Sequence, residues 1–271
     1  MCVMVYAQWP NVEADLSPWE IDQAPKPTRT EVEALRKVVD AAADERPIQA
    51  HLAANPRLFS PLLGGGHGRW VRPKVRFGDR FEADFMIADA DSVGIHWVYV
   101  ELESPRSPMF LQNGELAEKA RRGIHQIHQW RDHIDRNGGA ARRLRSEGGL
   151  GLPEVRSKNW GIVLAGRTEE RGADPAQRRR QLEEDERIML RSYDWLVDQA
   201  RAVTEDAGWA HHPGGLIPYG KAELDEHFEL RRKAEAVGTY PDGFDSDASR
   251  ADPCPKEEGK ADPHEVDPAS P

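Results

Sequence analysis

A mixed α/β fold, one central β-sheet flanked by helices, is predicted by the order of the hydrophobic patterns along the chain. Three segments at 69–77, 82–88 and 95–103 are rich in β-branched and aromatic residues and are separated by short turn-forming stretches, which reads as an antiparallel meander. The longest helical stretch, 114–136, follows, with Leu116, Ala120, Ile124, Ile127, Trp130 and Ile134 on one stripe. A short apolar run at 160–165 then returns to strand character between helical stretches. Sheets and helices each have one apolar side to bury, and layering one on the other is how such an order satisfies both.

The elements follow in sequence. Trp9-Pro10, Pro18-Trp19 and Pro25-Lys26-Pro27 make long regular structure implausible over residues 1–29, an irregular lead. Thr30-Glu31-Val32-Glu33 has the form of a capping box, and Val32, Leu35, Val38 and Val39 recur at helical spacing, so a helix is expected over about 30–43. A second helix starts near Pro47, turns Ile48, Leu52 and Phe59 inward, and ends at Asn55-Pro56, because the residue before proline avoids the helical region. The run from Gly64 to Gly68 reads as a flexible connection. A glycine-rich loop is expected over 137–151, a very polar helix from Asp174-Pro175, either its continuation or a short strand at 187–191, and a helix over 193–203. The layered domain so delimited spans 30–206; Leu224, Phe228 and Leu230 suggest a short helical extension within 207–238.

The net charge of -10 describes mainly the end of the chain. Residues 239–271 hold nine Asp/Glu, three Lys/Arg and six prolines, a composition too poor in apolar surface to order itself, and read as a disordered acidic tail. Without them 38 acidic and 34 basic residues remain, and 119–145 alone carries eight Lys/Arg against two Asp, a stretch suited to a phosphate backbone. No apolar run approaches the ~20 residues of a membrane-spanning helix. The first residues lack the basic flank and apolar core of a signal peptide, so a cytoplasmic location is expected. Cys2 and Cys254, near opposite ends, exclude a disulfide framework. No G-x-S-x-G elbow is present, and the glycine run lacks the Lys-Ser/Thr of a nucleotide-phosphate loop, so no nucleotide cofactor is expected. His125, His128 and His133 share one helix, but a zinc site there needs a further ligand that the sequence does not supply.

Side chains two apart on a strand share a face. Glu82 therefore projects with Asp84, and Glu101 with Glu103, each pair from an otherwise apolar segment. Carboxylates gathered in this way repel one another unless one holds a proton or a divalent cation such as Mg²⁺ or Mn²⁺ joins them. The alternative is an exposed strand face whose acids keep an edge soluble.

Phe81-Glu82-Ala83-Asp84-Phe85, then Val98-Tyr99-Val100-Glu101-Leu102-Glu103, then the helix with Gln126 and Trp130-Arg131, resemble in order and spacing the PD-(D/E)XK nuclease superfamily. More narrowly, with Leu52-Ala53-Ala54-Asn55-Pro56 before the core and Tyr193-Asp194 opening a late helix, the chain resembles the Shedu anti-phage defence nucleases over about residues 45–203. The resemblance implies a restriction-endonuclease-like core and a metal-dependent DNA endonuclease or nickase of anti-phage defence. It implies that Asp84, Glu101 and the Leu102 carbonyl bind Mg²⁺ or Mn²⁺, that Gln126 helps form the site, and that the protein assembles with itself. Arg121, Arg122 and Arg131 on the long helix are candidates for phosphate contacts with double-stranded DNA. One residue departs from the pattern. Glu103 stands where an E-x-K motif has lysine; it either coordinates metal or accepts the water's proton, or it marks a catalytically silent module that binds DNA or a protein partner. For the tail, a chain ending at residue 238 is expected to fold with an unchanged thermal midpoint; loss of soluble protein would contradict the disordered reading.

Overall fold

The computed structural model describes residues 15–21, 26–64, 67–168, 175–204, 207–212 and 215–220. The acidic tail and the helix read around Leu224, Phe228 and Leu230 lie outside the described residues.

Helix α1, Arg29–Ala41, starts one residue earlier than expected. Thr28 rather than Thr30 is the cap: its hydroxyl accepts from the Glu31 amide at 3.2 Å, and the Glu31 carboxylate accepts from the Thr28 amide at 2.7 Å. Two Thr-x-x-Glu patterns overlap here, and the earlier one forms the cap, satisfying two otherwise orphaned N–H groups. Helix α2, Arg46–Ala54, ends at Asn55 as the following proline demands, and a 3₁₀ segment, Pro56–Leu62, carries Phe59 fully inward.

Strands β1 (Gly68–Phe77), β2 (Phe81–Ala90) and β3 (Ile95–Leu102) form the antiparallel meander, and β4 (Trp160–Leu164) and β5 (Ile188–Arg191) continue the sheet in parallel from β3, in the order β1-β2-β3-β4-β5. The sheet is therefore mixed. Its parallel half points the ends of β3, β4 and β5 in one direction, the place where α/β sheets present binding groups. Helix α3, Glu118–Arg142, covers one face, and α1, α2 and α5 (Tyr193–Ala202) cover the other. Helix α4, Pro175–Glu186, leads into edge strand β5.

Helix α3 runs through the expected glycine-rich loop as far as Arg142, with a single non-helical residue at Asn137 (φ -124°, ψ 20°). The two glycines do not stop it, because Ala141 is buried and the Arg142 guanidinium donates to the Val155 carbonyl at 3.0 Å, fixing the last turn against the loop beyond. A hairpin, β6 (Ala207–His212) with β7 (Gly215–Gly220), occupies the start of the segment read as a helical extension; its glycine, proline and aromatic content favours paired strands over a helix.

The α3 face closes around Trp130, 1% exposed, whose ring lies 6.2 Å from both Phe77 and Tyr99. α3 packs tightly on the sheet at Gly123, where a Cβ would sit 2.7 Å from Val163 Cγ1. No helix among the described residues is long and apolar enough to cross a membrane. Trp130→Ala, which empties the middle of this layer, is expected to cost about 3–5 kcal/mol of stability in denaturant titration.

Candidate functional site

The β2–β3 ladder ends at Phe85↔Val100, and one further step would set Asp84 opposite Glu101. There the main chains part and a side chain takes over: Asp84 Oδ2 accepts the Leu102 amide at 2.9 Å. Asp84 Oδ1 accepts from Gln49 Nε2 on α2 and from Lys74 Nζ on β1, the latter at 3.2 Å. Three elements thus hold one carboxylate.

Glu101 lies 3% exposed and in contact with Asp84, and burial, then Asp84, then Glu103, push its carboxyl well above the ordinary range. Glu103 is fully buried, and neither carboxylate oxygen has a hydrogen-bond partner. Its nearest cations come from α3, Arg122 Nε at 3.2 Å and Lys119 Nζ at 3.7 Å; they oppose the upward push of burial without removing it. The Gly123 contact lets α3 come this near, for a Cβ there would also meet Glu103 Cγ at 3.4 Å. From the other face, the buried Tyr193 hydroxyl donates to the Glu103 carbonyl at 2.7 Å, and the Glu103 amide donates to Leu164 O at 2.8 Å. The end of β3 is pinned on both sides.

The sequence candidates separate accordingly. Asp84, Glu101 and Glu103 come together, with Gln126 at the margin, where its Oε1 accepts from Arg122 Nε at 3.4 Å. Glu82 does not join them; Arg76 at 2.9 Å and Lys74 at 3.3 Å draw it aside. Arg121 is exposed, and Arg122 is half turned to Glu103. Arg131 is a structural clamp rather than a surface cation: its terminal nitrogens donate to the carbonyls of Glu186 at 2.7 Å, Asn159 at 2.8 Å and Arg187 at 3.1 Å, joining α3 to the entries of β4 and β5. Asp194 likewise works within the fold, accepting from Arg167 Nη2 at 2.7 Å while that nitrogen also meets Asp40 of α1 at 2.8 Å.

Of the histidines, His128 meets Glu186 at 2.7 Å, His133 packs on Phe77 and Phe81, and His125 is exposed. Among the described residues no three histidine, cysteine or carboxylate side chains stand together as a ready metal cage. Gln49 and Lys74 escaped sequence reading because no local pattern links residues 35 and 10 positions away from Asp84 to it.

The family model for the C-terminal region of the Shedu protein SduA matches residues 42–197, more than half of the chain. The chain belongs to the Shedu family. Membership implies a part in anti-phage defence, and the match takes in every strand of the five-stranded sheet and all the residues around Asp84. No curated protein matches this Shedu chain.

Glu101 gives the Shedu site a pH signature. A carboxyl whose folded pKa is raised favours folding most below its unfolded value, ordinarily 4.5, and that contribution is lost as pH rises toward the folded value. Glu101→Gln is therefore expected to raise the thermal midpoint at about pH 8, with the advantage over wild type shrinking as the medium is acidified; an advantage constant across this range would show that ionisation is not its source.

Proposed function

We propose that the protein is a metal-dependent deoxyribonuclease of anti-phage defence that nicks double-stranded DNA, with a restriction-endonuclease-like core and a PD-(D/E)XK site. The observation that carries this reading is the contact between Asp84 and the buried Glu101 at the ends of two paired strands. Two carboxylates so placed need a shared proton or a cation, and the second buried acid, Glu103, has both oxygens without hydrogen bonds. An all-oxygen set with few protein ligands and room for water suits Mg²⁺ or Mn²⁺. Asp84, Glu101 and the Leu102 carbonyl would hold the ion. When bound, it supplies Lewis-acid polarisation of a phosphate and a water of lowered pKa.

The remaining chemistry belongs to the chain. Gln49 and the Leu102 amide hold the Asp84 carboxylate in one orientation. Tyr193 fixes the main chain between Glu101 and the following loop, and burial keeps its hydroxyl protonated as a donor. Arg122 and Gln126 present polar groups at the rim, and the exposed Arg121 lies on the same helix for a phosphate contact. A cleft of about 390 Å³ at the same end of the parallel strands is lined by Arg179, Arg180 and Arg191 together with Glu183 and Asp198, and Glu183 pairs with Arg191. Self-assembly is part of the same proposal and rests on the family alone.

A second reading, a silent nuclease-fold module that binds DNA or a protein, is favoured by the pairing of Glu103 with Arg122 and Lys119 in place of a lysine. Cleavage of supercoiled DNA with Mg²⁺ or Mn²⁺ separates the two. Wild type is expected to nick, and Asp84→Ala and Glu101→Ala to lose at least about 100-fold in rate while remaining folded. Folded wild type that binds DNA and leaves it uncut would favour the silent module.

A further inference from the structure

The acidic site has no lysine at the end of β3, yet a lysine reaches it from another strand. Lys74 Nζ stands 3.2 Å from Asp84 Oδ1 and 3.3 Å from Glu82 Oε1, with its side chain 50% exposed. The backbone is bent for this. Lys74 has φ +52°, a left-handed conformation uncommon and costly for a residue with a Cβ.

The cost falls at one place in the ladder. Pro73↔Phe85 and Val75↔Ala83 are partners, while 74 and 84, which the same register would put opposite each other, are not. The faces change there as well: Val71, Phe85 and Ile87 belong to the core under α1, α2 and α5, and Val75, Phe77 and Ala83 to the core under α3. The kink in β1 is thus coupled to the exit of Asp84 from regular pairing, and it lays the lysine across the carboxylate. The other nearby cations serve Glu103: Lys119 and Arg122 both face that side chain. Among the described residues, the side-chain N–H groups that donate to Asp84 are those of Lys74 and Gln49.

We propose that Lys74 supplies, from β1, the positive charge that position 103 lacks, contacting the scissile phosphate as a catalytic residue. The inference rests on the nuclease reading. As water oxygen bonds to phosphorus and the bond to the leaving sugar oxygen breaks, negative charge collects on the non-bridging oxygens. The Lys74 ammonium offsets that charge and keeps its protons. The water gives a proton to solvent and the leaving oxygen takes one up from solvent, so the lysine ends the step unchanged.

The test compares wild type with Lys74→Met, Lys74→Gly and Lys74→Arg for DNA nicking, Mn²⁺ binding by calorimetry and thermal midpoint. Lys74→Gly suits the left-handed backbone, so its midpoint should equal or exceed that of wild type, which separates a lost charge from a lost fold. Both neutral variants are expected to lose about 100-fold in kcat, with KM for DNA within about threefold and Mn²⁺ affinity retained or raised, since a competing cation leaves Asp84. Lys74→Arg should retain within about tenfold of wild-type kcat, because the charge remains. Neutral variants that nick as fast as an active wild type would overturn the inference and leave the nuclease reading standing. Loss of Mn²⁺ binding along with nicking would also overturn it, by making Lys74 part of the metal pocket. An inactive wild type removes the nuclease reading itself, and this inference with it.

Discussion

Two carboxylates carried below the surface at the end of β3 are the constraint around which this molecule is arranged. Burying an acid without a partner is costly, and Glu101 and Glu103 are 3% and 0% exposed. Much of what surrounds them is explicable as accommodation. Gly123 clears space for α3 to bring Arg122 and Lys119 toward Glu103. Tyr193 and Leu164 hold the main chain from the other face and the neighbouring strand. Burial and the neighbouring Asp84 push the Glu101 carboxyl upward, which favours its neutral form and so less repulsion with Asp84. A fold serving stability alone has a simpler solution, an apolar pair in these positions, since well-packed hydrophobic replacements of buried charges are often neutral or stabilising.

The arginines divide along the same line. Those of α3 nearest the strand ends turn toward the acids or solvent, whereas Arg131, one helical stretch further on, is consumed by three main-chain carbonyls. Arg167 ties α5 to α1 through Asp194 and Asp40, so the helix that carries Tyr193 is anchored to the one that opens the domain. The polar groups around the site therefore fall into a set that faces it and a set that fixes the elements on which the first set stands.

Much of this was readable in the sequence. The alternation of strands placed Asp84, Glu101 and Glu103 on neighbouring strands, because a period of two depends on nothing beyond the local backbone. The antiparallel meander and the turn at Asn55-Pro56 rest on equally local rules. What could not be read depends on tertiary geometry. Glu82 shares a strand with Asp84 but is taken by Arg76, a cross-strand partner that only the register of β1 reveals. Lys74 reaches Asp84 through a left-handed residue inside a strand, where local preference says otherwise. The helix through Asn137 and its glycines is sustained by Arg142 and Val155, a contact invisible to periodicity. Which of two overlapping Thr-x-x-Glu patterns caps α1 also had to be seen: Thr28, through its reciprocal bonds with Glu31, does so rather than Thr30.

The hydrogen bond from the Leu102 amide to Asp84 has a bearing on how a chain of this kind would decay if its chemistry were no longer needed. Asp84 replaces a missing rung of the sheet, so its loss would leave a main-chain donor at the end of β3 without its acceptor. Glu101 has no such duty and exacts a cost through burial. Under drift, Glu101 would give way to a neutral or apolar residue first, while the aspartate lingered as part of the fold, outliving any chemistry at the site.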